Sequence, residues 1–82
     1  GLSENEISDF EYYYNPFNDM LNMASSEKLS NIQIFNILGQ KIIEEDINGY
    51  NHQINLGKLS TSIYFIKVES NNGVKTFKLR VR

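Results

Sequence analysis

The last twenty residues alternate too regularly to be anything but strands. From Ile63 to Ser70, Tyr64, Ile66 and Val68 fall on every second position, the period of a strand with one buried face. Asn71-Asn72-Gly73 then reads as a tight turn. In Val74 to Arg82, Phe77, Leu79 and Val81 turn inward while Lys78, Arg80 and Arg82 turn outward. Composition extends this to the rest of the chain. Ten isoleucines, five phenylalanines and five tyrosines stand against one alanine and one proline, with eleven asparagines for turns. At 82 residues and with no cysteine, the chain is one small domain without disulfides or thiolate metal sites.

Further strands are expected upstream. Residues 1–12 read as a linker or a frayed N-terminal strand, and the domain proper as 13–82. Asn15-Pro16 favours a turn. Phe17 to Ala24 reads as a strand with Leu21 and Met23 on one face, closed by a turn at Ser25-Ser26-Glu27-Lys28. Ile32 to Ile37 is a strand, Gly39 supplies a positive φ for the reversal, and Lys41 to Ile47 returns antiparallel. Asn48-Gly49 is a hairpin signal followed by a short strand, His52 to Leu56. Six to seven short strands with turn signals every 8–12 residues or so predict an all-β fold: a small antiparallel Ig-like or fibronectin-like β-sandwich. Leu59 and Tyr64 flank a corner, where Tyr64 is either a tyrosine corner or an ordinary buried aromatic.

Charge is segregated. Residues 1–46 hold nine acidic and two basic side chains, and residues 47–82 hold one acidic and six basic, for a net charge of −2. Either an acidic strand pairs with a basic one inside the fold, or the basic tail is displayed to a partner. No apolar run approaches the roughly 20 residues of a membrane-spanning helix. The acidic N-terminus lacks the basic start of a signal peptide, and the chain is expected to be a piece of a longer protein.

Little here suggests catalysis. His52, the single histidine, sits in the polar stretch Tyr50-Asn51-His52-Gln53 and reads as a solvated surface residue. A triad would need a serine and an acid beside it, and zinc usually needs three or four protein ligands. Glu44-Glu45-Asp46 places Glu44 and Asp46 on one strand face and Glu45 on the other, without the loop spacing of a calcium site. Phe10, Tyr12, Tyr13, Tyr14 and Phe17 could stack on sugars or bases. Asp9, Glu11 and Asp19 beside them would repel a nucleic-acid backbone.

Four blocks together resemble a known family. Tyr13-Tyr14-Asn15-Pro16-Phe17 is similar to the opening of the C-terminal sorting domains of the type IX (Por) secretion system of Bacteroidetes, type A family. Ile32 to Ile42, with Gly39, resembles the second block, Asn55 to Val68 the third, and Gly73 to Arg82 the basic terminal strand. Tyr14 replaces the usual first proline, and Ser62 the usual glycine. The latter requires that position to avoid a positive φ, or Ser62 to be strained. The resemblance implies a non-catalytic, cofactor-free targeting domain that directs an upstream cargo through the outer-membrane translocon to the cell surface or medium. It also implies removal by a sortase-like peptidase in or just before residues 1–13. Gly73, Lys75, Lys78, Leu79, Arg80 and Arg82 match the positions of translocon recognition, and Asn15, Pro16, Gly39, Leu59 and Tyr64 carry the structural motifs. No nucleic acid is implied. An unpaired edge leaves room for a dimer of the isolated domain. The competing reading is an Ig-like module that binds carbohydrate through exposed tyrosines.

Overall fold

A computed structural model describes residues 7–82. It is all-β and antiparallel. The elements are β1 (Glu11–Asn15), β2 (Met20–Phe35), β3 (Lys41–Asn55), β4 (Ser62–Ser70) and β5 (Val74–Val81). The strand order is β1-β2-β4-β5, with β3 also paired to β2.

The sheet curls because β2 and β3 each serve two halves. The first part of β2 pairs with β1 (Tyr12↔Met23, Tyr14↔Leu21) and with the end of β3 (Met23↔His52, Leu21↔Ile54). Its second part pairs with the start of β3 (Ile34↔Ile43) and with β4 (Ile34↔Ile66, Ile32↔Val68). β5 then adds to β4 (Ile66↔Phe77, Tyr64↔Leu79). The inner positions of the two halves close on one core: Leu21, Met23 and Ile54 from one, Ile32, Ile34, Ile66, Val68, Phe77, Leu79 and Val81 from the other. Tyr12 of β1 stacks on Phe77 of β5, ring centroids 3.9 Å apart, so the first and last strands meet face to face.

Among the described residues there are five strands, not six or seven, because each long bent strand carries turn-forming residues in its interior. Ser25-Ser26-Glu27-Lys28 does not reverse the chain. Ala24 pairs with Asn51 and Leu29 with Gly49, so these four residues of β2 bulge opposite Tyr50 alone. Ser25 Oγ accepts from Glu27 N at 2.9 Å, a local bond that holds the bulge. Asn48-Gly49 likewise lies within β3 and makes no hairpin. Gly39 alone among the described glycines has a positive φ, +83°, so Gly49 lacks the left-handed geometry that a two-residue hairpin would need.

The remaining turns form as their residues dictate. Asn36 Oδ1 accepts from Leu38 N and Gln40 N around Gly39. Ser70 N donates to Gly73 O at 2.9 Å across Asn71-Asn72. Tyr64 is a tyrosine corner: its hydroxyl donates to Ser60 O at 2.7 Å while its ring is buried. Ser62 does not occupy the positive-φ region, so losing the family's glycine there costs no backbone strain.

Candidate functional site

β5 is an edge strand. Its pairing runs from Glu69↔Val74 to Ser62↔Val81 along β4 only, and among the described residues no strand lies on its other side. Its apolar positions sink into the core, so its alternate positions must face water. Lys78 and Arg80 are exposed, and neither forms an ion pair among the described residues. Leu79 points the other way and is buried. Gly73 is buried in the turn, and Lys75, opposite Val68, is half-buried. Thus the six residues of the expected recognition set divide. Lys78 and Arg80 are presented outward, while Gly73 and Leu79 serve the turn and the core that hold the strand.

Arg82 does something else. At φ +55° it leaves the strand path and reaches the β1–β2 turn. One guanidinium nitrogen donates to Asp19 Oδ1 at 2.6 Å and the other to the carbonyl of Leu59. The Tyr14 hydroxyl donates to the same Asp19 oxygen at 3.0 Å. Desolvation, then the bond to Asp19, pushes the Tyr14 phenol above its ordinary pKa. Asp19 itself has a left-handed backbone, φ +60°, which Asp tolerates better than most residues. Its carbonyl accepts from Leu56 N at 2.8 Å. Asn15 Oδ1 accepts from Phe17 N beside Pro16, and Asn18 Oδ1 from Met20 N, two side-chain turns that set the loop. Leu59 packs half-buried against the core.

Asp19, and Tyr14 through it, are the partners of Arg82 that sequence reasoning missed. Asp19 reads as a turn residue, and only the fold reveals that it receives the terminal arginine. The one hint was the charge split. Arg82 is paired to Asp19 in the acidic part of the chain, whereas Lys78 and Arg80 face water.

His52 is not freely solvated. Its side chain is 20% exposed, and Nε2 lies 3.1 Å from Glu45 Oε1. Glu44 and Asp46 face away from Glu45, as alternation requires. There Asn31 Nδ2 donates to both, at 3.2 and 3.5 Å, and Lys41 pairs with Glu44 at 2.6 Å. That lysine is the main reason the Glu44 carboxyl is held below its ordinary pKa. Among the described residues no group of histidine and carboxylate side chains is arranged to hold a metal ion.

The model of the secretion system C-terminal sorting domain matches residues 11–82, from the first residue of β1 to Arg82. No curated protein matches the chain. Domains of this kind are the C-terminal sorting signals of type IX secretion; they engage its machinery and send the protein that bears them to the cell surface or exterior across the outer membrane. The chain belongs to the family of secretion system C-terminal sorting domains.

Proposed function

We propose that β5 is the element the outer-membrane translocon reads, with Lys78 and Arg80 as the contacting side chains. Gly73 and Leu79 hold that strand in place, Lys75 lies near its start opposite Val68, and Arg82 fixes its end to Asp19. The observation that carries this reading is the open edge of β5 with both cations turned to solvent. Such an edge offers backbone donors and acceptors to a partner strand, and its charges discourage self-pairing into aggregates. The same edge is where two isolated domains would dimerise, against the repulsion of these cations. Ile7 is buried and Ser8 is bonded to Ser26 and Glu27. Within the expected stretch in or just before residues 1–13, a sortase-like peptidase that cut between Ile7 and Tyr13 would have to open these contacts.

The test is a transplant. Residues 1–82 are fused to a periplasmic fluorescent reporter in a type IX-competent bacterium and in a translocon-defective host. Deleting residues 73–82 would abolish export, but it would also strip Phe77, Leu79 and Val81 from the core. The informative variant is Lys78→Glu with Arg80→Glu, which reverses the edge charge and leaves the core intact. Loss of surface reporter in a folded double variant supports the reading; export equal to that of the unaltered domain refutes the contact role of these cations.

A further inference from the structure

The outer face of the β1–β2–β3 half is hollow, and its lining has the chemistry of a sugar site. Three strands lay six side chains there as a grid. Tyr13, Asn22 and Gln53 form one row, and Glu11, Ala24 and Asn51 the next. Ala24, the chain's single alanine, stands at the centre of its row and leaves the space that a larger side chain would fill. The groove is open to solvent and has a volume of about 540 Å³. Tyr13 is 62% exposed, a large ring left in water beside polar neighbours.

We propose that this groove binds a neutral oligosaccharide. An exposed tyrosine ring stacks on the C–H face of a pyranose. Gln53 Nε2 donates to Asn22 Oδ1 at 2.6 Å, which orients both amides and leaves Asn22 Nδ2 to donate and Gln53 Oε1 to accept. Asn51 adds a third amide and Glu11 a carboxylate acceptor, the groups that pair with vicinal hydroxyls. β1 to β3 spans two strand spacings, about 10 Å and so about two sugar rings. Among the described residues no lysine or arginine lines the groove, and Glu11 repels anions, so acidic glycans and nucleic acid are disfavoured. The amides and carboxylate would be left without partners beneath an apolar peptide. The groove lies on the half of the sheet opposite β5, and this inference does not depend on the sorting role.

The experiment is calorimetric titration of the 82-residue chain with cellotetraose, mannotetraose, N-acetylchitotetraose and tetragalacturonate. At least one neutral tetrasaccharide binds with a Kd of about 1 mM or tighter, and tetragalacturonate binds at least about tenfold more weakly. Tyr13→Ala and Ala24→Met each weaken that binding about tenfold or more, whereas Tyr13→Phe stays within about twofold. Where a variant fails to fold, amide chemical shifts of the unaltered domain decide: saturable changes centred on Tyr13, Asn22, Asn51 and Gln53 support the site. No binding of any neutral sugar at about 10 mM, equal binding of the galacturonate, or shifts centred elsewhere would overturn it.

Discussion

At the scale of single residues, Asp19 joins the most distant parts of the chain. It takes bonds from Tyr14 and Arg82 on one oxygen and from Leu56 on its carbonyl. Its side chain and that of Arg82 are about three-quarters and two-thirds withdrawn from water, so the pair is worth about 1 kcal/mol rather than nothing. Asp19→Ala also places alanine at φ +60°, and the combined loss is about 2 kcal/mol. Asp19→Asn keeps the backbone tolerance and costs about half as much; urea titration of both variants checks this order. Glu27 gives a pH signature. Ser8 N and Ser70 Oγ each donate to it at 2.7 Å, and these bonds, that of Ser8 first, hold its carboxyl below the ordinary 4.5. Its stabilising effect is complete above about 4.5 and is lost as pH falls through the lowered value. Glu27→Gln therefore flattens the acid limb of stability against pH, read by thermal melts from pH 3 to 7. Tyr14 acts at the other extreme. Its raised pKa means that stability present below 10 is lost as pH rises further, and Tyr14→Phe removes that loss. None of these partnerships could be read from the sequence, because the spacing between Asp19 and Arg82 carries no period and both residues have ordinary surface explanations.

The scale of elements shows what patterning reveals and where it misleads. β4 and β5 are legible because their alternation is uninterrupted and their turn residues lie only at the junction. β2 and β3 are not, because asparagine, serine and glycine in mid-strand mark a bulge and a bend as readily as an end. One strand opposite another can absorb four residues against one without breaking the ladder on either side. The tyrosine corner stood open between two readings, since Leu59 and Tyr64 fit a buried aromatic equally well; the bond to Ser60 O decides it. Tyr64→Phe keeps the ring and leaves that carbonyl without its donor, a cost of about 1 kcal/mol in chemical denaturation. Gly39→Ala tests the β2–β3 turn. No atom would touch the new methyl group, so the cost is conformational alone, about 1 kcal/mol at φ +83°.

For the whole molecule, the two halves cannot part company. β2 and β3 run through both, and the core is one continuous cluster. Unfolding should be a single transition, with tyrosine fluorescence and far-UV circular dichroism tracing the same denaturant midpoint. A resolved intermediate would show that the halves separate. Fold class and family blocks were legible because they rest on order and alternation. The clamp and the polar hollow were not, because they depend on which faces the bulge brings together. Unity at equilibrium does not imply equal resistance to force. Among the described residues, tension arriving from the N-terminal side meets the bonds of Ser8 to Ser26 and Glu27 before it reaches the strands. It then meets the five pairs of β1 with β2, beginning at Glu11↔Ala24. These lie in antiparallel order and can be peeled one after another, like a zip, rather than sheared together. The molecule is therefore mechanically softest at its leading strand, and a pull from that direction strips β1 from the sheet while the β4–β5 edge still keeps its shape.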